Sequence, residues 1–133
     1  METGFEGRLA FHDLLDVMDV DFSHLTFENS GHVDAVYDFI EASIAETGKK
    51  WYFLINYEEC RIDSSAWFQF SSRGKDVNVA SSLGSVRYAP PKSTETEIRQ
   101  RSEQEKFESN LYDTRDEALL RIAQMRVKKA ATA

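Results

Sequence analysis

The segment WYFLINYEECRIDSSA, residues 51–66, decides the fold prediction for this chain. It begins with an uninterrupted apolar run, WYFLI, which is typical of a strand buried on both faces of a sheet. A polar bend follows, and then Asp63, Ser64 and Ser65 stand where the next helix should begin. Because sites in open α/β sheets form beyond the carboxyl ends of strands, this turn is the first candidate for a functional site.

Outward from this segment, strand and helix patterns alternate. Asn29 or Ser30 is positioned to cap the first helix, and Gly48 stands at the usual C′ position after it. Thr114 with Glu117 fits a capping box at the start of the last helix. We predict strands over residues 51–57, 83–89 and 107–112, and a hairpin pair or one bent strand over residues 16–27. We predict a first helix between the Asn29 or Ser30 cap and Gly48, and further helices over residues 64–74, 94–106 and 114–127; residues 76–82 could extend the second helix or form a loop.

The third predicted helix is unusually polar. Two Glu→Arg pairs at i, i+4, which begin at Glu95 and Glu97, support its helical state. Thr94 with Glu97 fits another capping box. Ile98 is its one aliphatic anchor, so we expect this helix to be weakly held against the rest of the domain.

This order of elements predicts an α/β fold with a mixed, mostly parallel sheet of four to six strands and helices on both faces. A length of 133 residues suits one compact domain. We expect residues 1–15 to be an N-terminal arm, residues 16–127 to be the domain, and residues 128–133 to be a frayed C-terminal tail.

Composition narrows the range of partners. The net charge of −7 disfavours binding to nucleic acid. No apolar run approaches the roughly 20 residues of a membrane-spanning helix, so integral membrane association is not expected. The single cysteine, Cys60, and the lack of a signal-peptide pattern favour a cytoplasmic location.

The stretch from Phe53 to Ser65 resembles the STAS domain of bacterial anti-sigma-factor antagonists. In that family an apolar strand leads through a polar bend into an Asp-Ser-Ser-Gly turn that opens a helix; here Ala66 stands in place of the glycine. The segment DTRDEALLRIAQM, residues 113–125, is similar to the end of the broader SpoIIAA-like, or STAS/SEC14-like, group. The resemblance implies a non-enzymatic regulatory or protein-binding module in which a partner kinase phosphorylates Ser65.

The residues of the turn allow two interpretations without the resemblance. A phosphate on a serine in the first turn of a helix is stabilised by unpaired backbone N–H groups and by the helix dipole, and it adds close to two negative charges. The ordinary alternative is that Asp63 or Ser64 merely caps the helix. In the regulatory hypothesis Ser65 is the phosphoacceptor or contact residue, Asp63 orients the turn and Ser64 caps.

A second hypothesis is a carrier or sensor of a small apolar ligand. Trp67 and Phe70 would line its pocket, and the weakly held helix around Ile98 would act as a lid. Arg87, an unusual charge within a strand, could pair with Glu58 or contact a ligand. The predicted ligand or partner surface comprises Trp67, Phe70, Arg73, Tyr57 and Arg87. A homodimer through an exposed strand edge is also possible.

Catalysis, a cofactor and a metal are not expected. Asp16, Asp19 and Asp21 form the densest acidic cluster. On a strand, Asp19 and Asp21 share one face and could jointly hold a hard cation, or the charged face could simply keep a strand edge soluble. We favour the second interpretation because no third ligand follows from the pattern. Cys60 and the histidines lie in no motif that would supply a nucleophile, a base and an oxyanion hole, and Cys60 is better interpreted as a small apolar residue or a partly exposed thiol.

Overall fold

A computed structural model describes residue 5, residues 7–105 and residues 109–132 of the chain. Strands and helices alternate along most of its length, as the sequence pattern predicts. The strands are β1 (Leu9–His12), β2 (Val17–Asp21), β3 (Thr26–Phe27), β4 (Trp51–Asn56), β5 (Arg61–Ile62), β6 (Ser82–Tyr88) and β7 (Leu111–Tyr112). The helices are α1 (Ser30–Thr47), α2 (Trp67–Ser81), α3 (Lys92–Glu105) and α4 (Arg115–Thr132), and a single 3-10 turn, Ser64–Ala66, leads into α2.

The main sheet contains five strands in the order β1-β2-β4-β6-β7. β1 is antiparallel to β2, and the other neighbouring pairs are parallel. β3 and β5 form a separate two-stranded parallel ladder. The predicted α/β class with a mixed, mostly parallel sheet is therefore confirmed.

β4 is the middle strand of the sheet, and its apolar run is interior on both faces. Trp51, Phe53 and Ile55 belong to the larger core, which packs against α1 and α2. Tyr52 and Leu54 alternate with them and belong to a smaller core under α4. This alternation is the period of two of a strand, and it explains why the run needs apolar residues at every position.

The termini of α1 are those that the sequence predicts. The Asn29 side chain accepts a hydrogen bond from the backbone N–H of His32 at 2.9 Å. Gly48 ends the helix with φ 69°, a left-handed conformation that glycine adopts without steric cost. The buried stripe of the helix consists of Val33, Val36, Tyr37, Ile40 and Ile44.

α4 covers the opposite face of the sheet. Ala118 and Ile122 are buried in the smaller core. The predicted capping box is confirmed, because Thr114 and Glu117 each accept a hydrogen bond at 3.2 Å from the backbone N–H of the other. α4 approaches β6 so closely that a Cβ on Gly84 would lie 2.9 Å from the sulfur of Met125.

The prediction of a loose N-terminal arm is wrong for residues 9–12. They form β1, which pairs with β2 at the edge of the sheet. Phe5 is 0% exposed, and its ring lies 5.6 Å from that of Phe22 and 6.0 Å from that of Phe39. The strand has only four residues, of which Leu9 and Phe11 are partly buried and Ala10 and His12 are exposed, so it is too short to give a clear periodicity in the sequence.

The prediction that α2 ends at Gly74 is also wrong, since the helix continues to Ser81. A Cβ on Gly74 would lie 3.3 Å from the Tyr37 hydroxyl, so the glycine serves the close approach of α1 and α2. α4 likewise continues through residues 128–132, beyond the predicted frayed boundary. Of the predicted last strand, residues 107 and 108 lie outside the described residues, and the strand is Leu111–Tyr112.

Candidate functional site

A cavity of about 710 Å³ lies between α2, α3 and the face of the sheet that carries the larger core. Its floor is formed by side chains of β2, β4 and β6, and α1 closes it from behind. The floor residues are Met18, Val20, Phe53, Ile55, Ser85 and Arg87. Most of the lining is apolar, which is the usual character of a site for a small organic molecule.

Aromatic side chains of α2 form one wall of this cavity. Trp67 and Phe70 are buried and meet edge to face, with ring centroids 5.7 Å apart. The Arg101 guanidinium of α3 lies 5.0 Å above the Trp67 ring. Ile98 contributes the aliphatic contact of α3. The structure thus brings together Trp67, Phe70 and Ile98, the three residues of the sequence-based pocket hypothesis.

Two further predicted contact residues, Tyr57 and Arg87, lie on the same cavity. Arg87 donates a hydrogen bond to the Ser109 carbonyl at 3.0 Å, and the predicted pairing with Glu58 is not formed. Burial raises the pKa of Tyr57 to about 12, although the Arg87 charge acts in the opposite direction. Tyr57 therefore presents a neutral hydroxyl at ordinary pH.

Two buried polar atoms on the cavity lining have no hydrogen-bond partner among the described residues: the Ser102 hydroxyl oxygen and the Asn78 side-chain carbonyl oxygen. Ser102 is 3% exposed. An unsatisfied buried polar group costs on the order of 1–3 kcal/mol. A bound molecule with polar atoms of its own would offer these groups partners.

α3 lies over the cavity with a narrow inner stripe. Thr94, Ile98 and Ser102 recur every four residues and are all buried. The Thr94 hydroxyl donates to the Cys60 carbonyl at 2.8 Å, so the predicted capping box of Thr94 with Glu97 is wrong. Sequence reasoning missed Ser102, and this i, i+4, i+8 stripe is the signal that could have revealed it.

Cys60 is 0% exposed. Burial raises the pKa of its thiol to about 12, and a protonated thiol is a poor nucleophile. The interpretation of Cys60 as a small buried residue is confirmed. The Cys60 backbone carbonyl also holds α3 in place, because it accepts the hydrogen bond from the Thr94 hydroxyl.

The serine turn lies outside the cavity lining. Asp63, Ser64 and Ser65 are exposed, and the Ser65 hydroxyl donates to the Glu28 carbonyl at 3.2 Å. Within this described turn, Asp63 precedes the 3-10 turn without a side-chain capping bond, and Ala66 occupies the N-cap position of α2. The predicted capping by Asp63 or Ser64 is therefore wrong: the turn enters α2 through backbone hydrogen bonds, such as Ala66 N–H to the Asp63 carbonyl at 2.8 Å.

Arg73 also lies away from the cavity, between α1 and α2. Its guanidinium contacts the carboxylates of Asp34, Asp38 and Glu41 at 2.7, 2.8 and 3.0 Å. Hydrogen bonds from Gln69 and then from Arg73 lower the pKa of Asp34. The predicted place of Arg73 near the end of α2 is wrong because the helix continues, and its charge joins two helices.

The acidic cluster of the sequence is divided among separate cations. Asp16 contacts Lys49 at 2.6 Å, and Asp19 contacts both His12 and Arg115 at 2.7 Å. In residues 7–105 and 109–132, no group of three or more acidic, histidine or cysteine side chains is arranged to hold a metal ion. These acids tie the edge strands to their neighbours.

No helix in the described parts of the chain is both long and apolar enough to span a bilayer. No protein-family model, no curated protein and no solved structure matches the chain. The chemistry of the cavity and of the serine turn is therefore the basis for assigning a function.

Proposed function

We propose that this chain is a non-enzymatic binding protein, a carrier or sensor, for a small and largely apolar molecule. The observation that carries the proposal is the cavity of about 710 Å³ under α3. Sites for small organic ligands typically measure roughly 300–1,000 Å³ and combine an apolar lining with a few polar groups. The cavity meets both criteria.

Packing supports this interpretation. Protein interiors are close-packed, and voids larger than a water molecule are few. The cavity is partly open to solvent and lies against the larger core, where Met18 and Phe22 belong to its lining. An apolar ligand would add dispersion contacts along the apolar part of this lining.

α3 is suited to admit a ligand. Its buried surface is a narrow stripe that consists of Thr94, Ile98 and Ser102. Its outer surface is charged, with the Glu95–Arg99 and Glu97–Arg101 pairs at 3.0 and 3.1 Å. A helix held mainly by Thr94, Ile98 and the contact of Arg101 with Trp67 can open at a lower free-energy cost than a helix with a broad apolar face.

Two measurements test the binding function directly. Native mass spectrometry of protein from its source cell is expected to show a retained small-molecule mass. Nile red, a neutral apolar dye, is expected to bind the emptied protein at one site and to be displaced by the retained molecule. A clean protein mass together with no saturable Nile red binding would refute the function.

A second candidate function is a phosphorylation switch at Ser65 that controls a protein partner. The specific observation in its favour is the exposed hydroxyl in the turn that leads into α2, two residues before the cavity residue Trp67. A phosphate there would lie near the amino-terminal end of α2, where negative charge is stabilised. Its acidic neighbours Glu28 and Asp63 would make the modified surface strongly anionic.

The switch predicts a difference between two adjacent serines. Ser65→Asp is expected to change the affinity for a captured partner about tenfold, whereas the control Ser64→Asp leaves it within about twofold. The folded state should tolerate both changes, since exposed substitutions usually alter stability by less than about 0.5 kcal/mol. Partner affinity is measured by surface plasmon resonance, and phosphate by mass spectrometry of native protein. An unmodified Ser65 and equal affinities would exclude the switch.

The cellular location, the class of partner and the oligomeric state belong to the same proposal. The lone Cys60 is buried, which supports a reducing compartment such as the cytoplasm. The net charge of −7 supports partners other than nucleic acid. β1 and β7 are the outer strands of the main sheet, and either edge could pair in a homodimer.

A further inference from the structure

We infer that the molecule held in the cavity is an anionic amphiphile, with an apolar body and one negatively charged head group. This inference rests on the proposed binding function and adds the chemical class of the ligand. It assigns Arg87 as the residue that contacts the head group and Ser102 as a second donor to it.

The charges on the lining are the first argument. Among the lining residues that the structure describes, Lys75, Arg87 and Arg101 are cationic and no aspartate or glutamate occurs. The whole chain has 23 acidic and 16 basic residues, so a lining that merely sampled the composition would contain acids. Since Arg101 is paired with Glu97, the charge on the lining that can attract an anion is that of Arg87.

Arg87 is the cation that the fold directs into the floor. It follows the buried Val86 of β6 on the alternate face and lines the cavity together with Ser85. In the described part of the chain no carboxylate contacts it, and its side-chain hydrogen bond there goes to the Ser109 carbonyl. A guanidinium has five N–H donors, so this partner leaves donors for a ligand.

Arg101 has a different role at the mouth of the cavity. Its guanidinium is 3.1 Å from the Glu97 carboxylate and 5.0 Å from the centre of the Trp67 ring. Because the Arg101 charge is paired with Glu97, we assign Arg101 to the packing of the cavity wall against Trp67 and Arg87 to the contact with the head group.

The unsatisfied Ser102 hydroxyl is the second argument. It is buried on the inner stripe of α3, lines the cavity and has no partner among the described residues. A hydroxyl donates readily to an anionic oxygen, and such charge-assisted hydrogen bonds are about twice as strong as neutral ones. The apolar body would then lie along Met18, Val20, Ile40, Phe53 and Val77.

A series of probes with one chain and different head groups tests the inference. Displacement of Nile red is measured with dodecanoate, dodecyl phosphate, dodecan-1-ol and dodecyltrimethylammonium. We expect at least one of the two anions to bind about 10- to 100-fold more tightly than the alcohol, since a hydrogen bond to a charged group contributes about 1.5–3 kcal/mol. The comparison between the two anions separates a carboxylate from a phosphate head group.

Variants locate the head group. Arg87→Gln is expected to abolish the preference for the anion and to leave the affinity for dodecan-1-ol unchanged. Ser102→Ala should reduce the preference by a smaller factor. Arg99→Gln is the matched control, because Arg99 lies on α3, is absent from the cavity lining and pairs with Glu95, and it should alter neither affinity.

The outcomes separate the two proposals. If wild-type protein binds Nile red but shows no preference among the four head groups, the inference is overturned and the binding function stands. An anion preference that persists in a folded Arg87→Gln variant overturns the assignment of Arg87. Failure of Nile red and of every dodecyl probe to bind overturns the inference and the binding function together.

Discussion

Ser102→Leu is expected to stabilise the free protein while lowering its affinity for Nile red by about 10- to 100-fold. The serine hydroxyl is buried without a partner among the described residues, and it faces the cavity. Removing such a group relieves about 1–3 kcal/mol in the free protein, and leucine is the better helix former. The larger side chain takes up part of the cavity, so the complex with the dye is overpacked at a cost of about 1–3 kcal/mol. At roughly tenfold per 1.4 kcal/mol, this cost corresponds to the expected loss of affinity.

The measurements are urea unfolding followed by circular dichroism and titration with Nile red. The matched comparison is between two single variants, Ser43→Ala and Ser102→Ala, in their free energies of unfolding. Both serines lie within helices, but the Ser43 hydroxyl donates to the Phe39 carbonyl at 2.8 Å. Both alanines share the gain in helix propensity. Only the change at Ser102 removes an unsatisfied group, so it should be the more stabilising. A destabilised Ser102→Leu that binds Nile red normally would contradict the location of the site.

Leu54→Ala is expected to lower the free energy of unfolding by about 2–5 kcal/mol, the usual range for a leucine removed from a close-packed core. Leu54 is 0% exposed, lies in the middle strand between Asp19 of β2 and Val86 of β6, and packs in the core under α4. That core is small, so few neighbours are available to move into the space. A loss of this size is a large part of the stability of a typical domain.

Leu14→Ala is the control for this measurement. Leu14 is 95% exposed, so the same chemical change should alter the unfolding free energy by less than about 0.5 kcal/mol. Both variants are compared by urea unfolding at the same pH and salt concentration. Similar values for the two leucines would mean that the β4 segment is not the interior strand on which this fold depends.

A stabilising substitution within a binding site has a general explanation. Sites that must receive a ligand keep polar groups and space that the folded protein would otherwise eliminate, so their removal often raises stability at the expense of function. Ser102 and the cavity beside it fit that description. The opposite responses expected at Ser102 and at Leu54 therefore distinguish a residue retained for binding from a residue retained for packing.

Local sequence signals were sufficient where the physics is local. Asn29, Gly48 and the Thr114–Glu117 pair mark helix ends through hydrogen bonds that span only a few residues. The same approach failed at Gly74 and at Thr94. Gly74 is required by the approach of α1 to α2, and the Thr94 hydroxyl bonds to the Cys60 carbonyl, so both roles depend on residues distant in the chain.

Some residues of the candidate site were likewise predictable from the sequence, and others were not. The grouping of Trp67, Phe70 and Ile98 was predicted because aromatic residues and a weak apolar stripe are visible in the sequence. Arg73 was grouped with them, yet it pairs with carboxylates of α1. The partner of a long charged side chain cannot be deduced from a single sequence, because its reach spans several possible neighbours.

By itself the sequence determined the alternation of the longer strands and helices from β2 onward, the interior position of β4 and the α/β class, because hydrophobic periodicity and capping operate over a few residues. Only the tertiary structure decided that the first strand closes the edge of the sheet, that Ser102 and Arg87 face one space, and that this space is left unfilled. A cavity is a property of how distant surfaces meet, and no local pattern encodes the volume that remains between them.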